Sequence, residues 1–530
     1  MADTPETGPG PTEPWTVRVA SEAGTRLIAE LFALKVAGGD LIALEGDLGA
    51  GKSTFARYFI RALVGCDTAE VPSPTFTLVQ RYETARFDVH HYDLYRLGGA
   101  DELAELDFED TAGDRVRLVE WPDRAAGLLP GDRFDIMIAE VADEAEARLV
   151  TVVGHGGAAE RVARIAAMHA FITRHGPAPG RGGLRLAYLE GDASPRGYAR
   201  VTFESGAASQ ILMDMPRMPD GPVVRDGKSY SEIAHLAEDA VPFIAIAGAL
   251  GAEGVPTPEI FAFDASSGLA MIEDFGDLTF GAALEAGLSQ DMLWQAAVDI
   301  LIRLHGARPP AVIRDTRFGR LAHEMPRYDD AVLAAEVDLL AEWYWVHVTG
   351  RPMAAGERET FEALWRPLIG AVAWRADAPE THHWVLRDFH SPNLIWRADE
   401  RGLHRVGVID FQDAQIGHAA YDVVSLAQDA RLDVPRRLHD VLTARYGAEV
   451  FRGDATRAEA FRRSAAILGA QRATKILGIF ARLAKRDGKT SYLRHIPRIL
   501  RYLDWNLAHE DLADLRGWFA RRGILSKKGE

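Results

Sequence analysis

Residues 40–64 read DLIALEGDLGAGKSTFARYFIRALV, and the order of their parts leaves little freedom of fold. The short apolar run DLIALEG ends in glycine, the pattern of a buried strand feeding a turn. From Lys52 to Val64 apolar residues recur at helical spacing, so the unit is strand, loop, helix. The loop between them, Gly46 to Ser53, satisfies G-x-x-x-x-G-K-[S/T] in full. Glycines let backbone amides turn inward around phosphate oxygens, where a Cβ would obstruct. Lys52 supplies a mobile cation for the terminal phosphates, and the Ser53 hydroxyl can complete a Mg²⁺ shell. The helix that follows adds its N-terminal dipole. The expectation is an α/β domain built around ATP.

Four further segments follow in order: SPTFTLVQRY (73–82), HHYDLYRL (90–97), ELDFED (105–110) and VEWPDR (119–124). Together with GDLGAGKST they resemble the TsaE family, the small ATPase component of bacterial threonylcarbamoyl-adenosine tRNA modification, over about residues 16–155. The resemblance implies a P-loop NTPase fold in which Leu48, Gly49, Ala50, Gly51, Lys52, Ser53 and Thr54 hold ATP. It implies Mg²⁺ at Ser53 and Glu120, and a part for Asp93 and Glu120 in hydrolysis. Thr75 falls in a switch-like loop beside the γ-phosphate. The family usually has Thr at Ser53, a change that keeps the hydroxyl. The implied partner is the TsaB–TsaD heterodimer, reset by ATP turnover, with the transferase chemistry belonging to TsaD. From the residues alone, Asp93 reads equally as a turn residue and Glu120 as a strand-end acid. His90 and His91, neighbours on one strand, point to opposite faces and are assigned to packing or hydrogen bonding. The alternative is a nucleoside or metabolite kinase, for which no lid or acceptor insertion is evident.

A chain of 530 residues exceeds one compact core, and 47% hydrophobic with 26% charged residues describes a globular protein. No run approaches the roughly 18 apolar residues of a membrane span. The start, MADTPETGPGPTEP, reads as a floppy tail through residue 15 and not as a signal peptide. The single Cys66 excludes an internal disulfide framework and Cys-based zinc, and points to the cytoplasm. A net charge of −17 argues against nonspecific nucleic-acid binding, and the acidic first 150 residues against direct tRNA binding. RFDIMIAEV and ARLVTVVG read as paired strands. Glycine and proline then bracket the helix ERVARIAAMHAFITR, marking 156–182 as an interdomain linker before a second domain at 183–530.

In that domain LRDFHSPN (386–393) and GVIDFQD (407–413) set Asp388 and Asn393 five apart, with Asp410 following. H-R-D-x-x-x-x-N loops of protein-kinase-like enzymes place an Asp at the acceptor hydroxyl and an Asn on Mg²⁺. Asp410 takes the place of the metal-binding Asp of D-F-G, since Mg²⁺ favours hard oxygen donors. GDASPRGYARV, LMDMP, MIEDFGD, IDFQDA and the late QR…GIFARLA…DGK segment resemble the AmgK family within the aminoglycoside-phosphotransferase (APH) group. That resemblance implies a two-lobed α+β protein-kinase-like domain and phosphorylation of N-acetylmuramate or N-acetylglucosamine at the anomeric hydroxyl. Choline, homoserine or another sugar is the alternative acceptor, and a non-catalytic scaffold the alternative class.

The third-strand lysine of such kinases is missing, since no Lys or Arg occurs from Val201 to Pro216. Arg200 is the candidate substitute for binding ATP, with Arg196 beside it; Glu232 stands where a helix-C glutamate could lie. The basic segments RATKILGIFARLAKRDGK and YLRHIPRILRYL read as solvated helix faces, a basic wall around an anionic ligand being the other reading. Two independent ATP sites are expected.

Overall fold

The computed structural model describes residues 13–97, 103, 106, 108, 114–125, 127–176, 183–189, 196–219, 221–225 and 227–525. The expected tail to residue 12, most of ELDFED and the GDASP segment lie outside the described residues. The chain forms two compact units, residues 1–216 with 261–274 and residues 217–260 with 275–530.

The first unit contains two sheets. Its larger sheet has seven strands: β1 (Trp15–Val19), β2 (Leu41–Glu45), β3 (Val79–Tyr82), β4 (Asp88–Asp93), β5 (Arg115–Glu120), β6 (Arg133–Val141) and β7 (Glu144–His155). Their order is β1-β7-β6-β2-β5-β4-β3. β2 lies parallel to β5 and β6, and β4 parallel to β5. Central parallel strands are covered on both faces, which is why LIALE is apolar without alternation. β6 and β7 form the expected antiparallel pair. Helices α1 (Glu22–Lys35) and α2 (Lys52–Val64) supply the facing layer.

The second sheet consists of β8 (Leu184–Leu189), β9 (Gly197–Phe203), β10 (Gln210–Asp214), β11 (Ile260–Asp264) and β12 (Leu269–Glu273), in the order β11-β12-β10-β9-β8. Leu212 lies opposite Ala199 and Met271, so these side chains share one face. That face is apolar and belongs to the same core as α1, α2 and the helix α3 (Ala158–His175). The expected linker helix is therefore an integral packing element: Val162, Ile165, Met168 and Ile172 are buried at helical spacing. Polar contacts reinforce the seam. Lys35 of α1 and Arg164 of α3 both pair with buried Asp214 of β10. Glu30 accepts the amide of Leu186 at 2.7 Å.

The second unit is mainly helical. Helices α4 (Gln290–His305), α5 (Asp330–Leu339), α6 (Ala420–Ala427), α7 (Ala455–Arg486) and α8 (Ile496–Leu507) accompany two short antiparallel strand pairs, 383–385 with 415–417 and 394–396 with 406–408. Glu232 closes a capping box with Ser229, so its carboxylate serves a helix start.

A buried histidine cluster is expected to make this unit acid-sensitive. The rings of His305 and His383 stack 4.2 Å apart, and His305 Nδ1 meets the Tyr446 hydroxyl at 2.8 Å. Burial, aided by Arg308 beside the first two, lowers His305 to about 4, His383 to about 3 and the neighbouring His418 to about 4. With folded pKa values depressed, their stabilising contribution is complete above the ordinary value of 6.5 and is lost as pH falls from there towards 4. Each such group is expected to contribute a slope of about 1.4 kcal/mol per pH unit in that window. Urea midpoints measured from pH 7 to 4 should fall steeply, and His305→Gln with His383→Gln should flatten the curve. An unchanged profile in the double variant would contradict the assignment.

Candidate active sites

The first site begins where β2 enters its glycine loop. Gly46, Gly49 and Gly51 have φ of 141°, 86° and 116°. At Gly46 an added Cβ would stand 2.3 Å from the Ile138 carbonyl oxygen, so only glycine fits. Leu48 is exposed at the loop tip and Ala50 is buried beneath it. Thr54 lies in the first turn of α2, among amides with no intrahelical partner.

Lys52 is buried, and its Nζ donates to the carbonyls of Gly46 and Asp47 at 2.7 and 2.9 Å. It also lies 3.7 Å from the Trp121 ring centre. Burial lowers its pKa, while Glu120, Asp93 and Asp47 act against that. Ser53 Oγ donates to Glu120 Oε2 at 2.9 Å. The parallel register of β4 and β5 sets Asp93 opposite Glu120 at the carboxyl ends of both strands. Asp93 Oδ2 accepts Ser73 Oγ at 2.7 Å and Thr75 Oγ1 at 3.1 Å. Lys52, Ser53, Thr75, Asp93 and Glu120 thus come together outside the carboxyl ends of parallel strands, where open α/β sheets bind ligands. One hydroxyl and two carboxylates are the hard oxygen donors that Mg²⁺ takes alongside nucleotide phosphates.

Two further residues touch this site, His91 in the hydrogen-bonding role expected of it and Trp121 without any such expectation. His91 Nε2 lies 2.9 Å from Glu120 Oε1 and fixes that carboxylate from behind. Trp121 takes a left-handed φ of 61°, a strained conformation that aims its ring at Lys52. The motif VEWPDR contained the Trp, but spacing gave no sign of its contact.

In the second unit, Asn393 Nδ2 donates to the Asp388 carbonyl at 2.9 Å and approaches Asp410 Oδ2 at 3.4 Å. These contacts use the amide nitrogen of Asn393, so its oxygen is the atom offered to a cation. Gln412 Nε2 donates to Asp410 Oδ1 at 2.9 Å. Arg387, just before Asp388, and Asp410 both have left-handed φ, 68° and 59°, so the backbone turns sharply at each acid beyond its strand. The expected trio, Asp388, Asn393 and Asp410, is therefore assembled in one place.

Two acids of YDVVSLAQD clamp the Asp388 loop. Asp422 accepts the amides of Leu386 and Arg387 at 2.6 and 3.0 Å. Asp429 Oδ2 accepts the amide of Ser391 at 2.6 Å. A carboxylate in so apolar a helix, Asp422, was the available signal, because burial demands partners. Behind the loop, Glu336 is fully buried and bonds Arg387 at 2.6 Å and Lys475 at 2.7 Å. Burial opposes charge on Asp388, but Lys475, His390, Arg387 and Arg472 outweigh it and hold the carboxyl below its usual range. An ionised Asp388 can accept a proton from a hydroxyl.

Arg200, on β9 of the first unit, donates to Asp274 at 2.6 and 3.2 Å, and Ser209 donates to the same carboxylate at 2.7 Å. The basic helices depart from the solvated-face expectation: Arg472 and Lys475 are buried.

Known proteins match the chain in two parts. Residues 19–149 match the model of the threonylcarbamoyl adenosine biosynthesis protein TsaE, and residues 185–461 that of the phosphotransferase enzyme family APH. The N-acetylmuramate/N-acetylglucosamine kinase of Caulobacter vibrioides is 38% identical over 367 residues, covering 68% of this chain and 96% of that protein. The tRNA threonylcarbamoyladenosine biosynthesis protein TsaE of Rickettsia felis is 35% identical over 154 residues, covering 29% of this chain and 88% of that protein. Bacillus subtilis YdiB, a solved structure, is 30% identical, covering 30% of this chain and 97% of that one at a TM-score of 0.25. No described helix is long and apolar enough to cross a membrane. With a nucleotide loop in one sheet and a kinase-type acid trio in the helical unit, the chain belongs to the TsaE family through its N-terminal part and to the APH phosphotransferase family through the remainder.

Proposed function

We propose that this is a bifunctional cytoplasmic protein: an ATPase for tRNA threonylcarbamoyladenosine modification, and a kinase of the anomeric hydroxyl of N-acetylmuramate and N-acetylglucosamine. The observation that carries the second half is the 38% identity to a kinase of that name over nearly its whole length, joined to an intact Asp388, Asn393 and Asp410. The domain reading is 16–155 for the ATPase and 183–530 for the kinase, joined by 156–182.

In the kinase, Asp388 accepts the proton of the anomeric hydroxyl as its oxygen attacks the γ-phosphorus of ATP. The bond from that phosphorus to the β-γ bridging oxygen breaks, and ADP leaves. Asn393 and Asp410 would hold Mg²⁺, which supplies charge neutralisation on the phosphates. Arg200 is the cation assigned to the missing third-strand lysine, positioned by Asp274. In the ATPase, Ser53 and Glu120 would hold Mg²⁺, Lys52 the terminal phosphates, and Asp93 with Thr75 the γ-phosphate side. Its partner is the TsaB–TsaD heterodimer, and its acidic surface leaves tRNA contact to that partner.

Full-length protein with ATP and either amino sugar should yield a sugar 1-phosphate, visible by phosphorus NMR. Turnover of choline or homoserine with no amino-sugar product would replace this reading. Lys52→Ala is expected to lower partner-stimulated ATP hydrolysis by about 10²–10³-fold, the effect of deleting one preorganised charge donor. Sugar phosphorylation in the same variant should stay within about twofold of wild type. Equal loss of both would show that one ATP site serves both reactions.

A further inference from the structure

Among the cations around the Asp388 loop, Arg472 stands apart. Arg387 and Lys475 both pair with Glu336. Arg498 approaches Asp433 at 3.6 Å. Arg472 is 5% exposed on α7, and its hydrogen bond is a single one, Nη1 to the Gln428 carbonyl at 3.2 Å. Among the described residues no carboxylate lies within ion-pair distance of it. A buried guanidinium is costly unless paired, and its remaining N–H groups need acceptors.

Its place relative to the chemistry is fixed by the chain. Gln428 precedes Asp429, the residue that clamps Ser391 three positions beyond Asp388. Arg472 also shares one helical face with Lys475, three residues on, and α7 packs against α6, whose Asp422 holds the amides before Asp388. The charge of Arg472 favours the ionised forms of Asp388 and Asp422, although burial still raises Asp422 to about 7. His390 Nδ1, in the same loop, is buried with no partner among the described residues.

The acceptors named above differ in one respect that matters to such a group. N-acetylmuramate is N-acetylglucosamine bearing a lactyl ether, and hence a carboxylate. We propose that Arg472 receives the carboxylate of the acceptor and thereby makes this kinase discriminate in favour of the acidic amino sugar. The inference rests on the amino-sugar reading. A guanidinium matches a carboxylate with two parallel N–H···O bonds, whereas the neutral sugar leaves it unmatched.

The test compares kcat/KM for the two sugars in full-length wild type, Arg472→Gln and Arg472→Lys. Losing a charge-assisted hydrogen bond should cut kcat/KM for N-acetylmuramate about 10–150-fold in Arg472→Gln. The N-acetylglucosamine value should fall by a clearly smaller factor, the share Asp388 loses with one of its neighbouring cations, because that sugar offers Arg472 no carboxylate. The loss should appear chiefly in KM, and Arg472→Lys should recover part of it. Equal decline with both sugars, together with a lower thermal midpoint, would make Arg472 a structural residue and overturn the proposal. So would an unchanged preference in Arg472→Gln. A wild type inactive on both sugars would instead remove the amino-sugar reading, and this proposal with it.

Discussion

Asp388→Asn is expected to lower sugar phosphorylation by about 10²–10⁴-fold, the range general-base removal produces. The substitution keeps shape and hydrogen-bonding capacity but abolishes the anionic acceptor for the hydroxyl proton. The clamps on the loop are backbone amides meeting Asp422 and Asp429, so its geometry should survive. Asn393 bonds the carbonyl of residue 388 and not its side chain, so that contact is retained as well. The loss should therefore fall on kcat with little change in KM. Partner-stimulated ATP hydrolysis at Lys52 should remain. A variant keeping more than a tenth of wild-type kcat would show that Asp388 is not the base.

Local chemistry was the part written plainly in the sequence. The glycine loop, the five-residue interval from Asp388 to Asn393, and Asp410 could be read because each is set by neighbours in the chain. Asp93 and Glu120 needed the resemblance, since only the parallel register of β4 and β5 brings them together. Long-range pairings were invisible. Glu336 and Lys475 are 139 residues apart, and nothing in the periodicity of α7 distinguishes a buried lysine from a solvated one. Glycine and proline around α3 suggested an interdomain junction, but turn residues say nothing about what the helix between them covers, and α3 packs inside one compact unit.

That covered surface supports the second large prediction: residues 183–530 expressed alone should not behave as a soluble kinase. Leu186, Val201, Phe203, Leu212, Leu269 and Met271 are buried in a core shared with α1, α2 and α3. Each such side chain contributes about 1.5–3 kcal/mol when fully buried. Several together rival the roughly 5–15 kcal/mol that holds a whole domain folded. Without residues 1–182 the sheet β8–β12 would present this face to water as one contiguous apolar patch, an aggregation surface. The fragment is expected mainly in inclusion bodies, with dye-binding apolar surface in whatever remains soluble. Co-expression of residues 1–182 should restore solubility, because Lys35, Arg164 and Glu30 would again meet Asp214 and Leu186. A monodisperse fragment with cooperative unfolding and wild-type turnover would show the shared core to be dispensable. If the expected result holds, joint expression alone does not explain the fusion: the ATPase part is also the scaffold on which the sheet of the kinase is built.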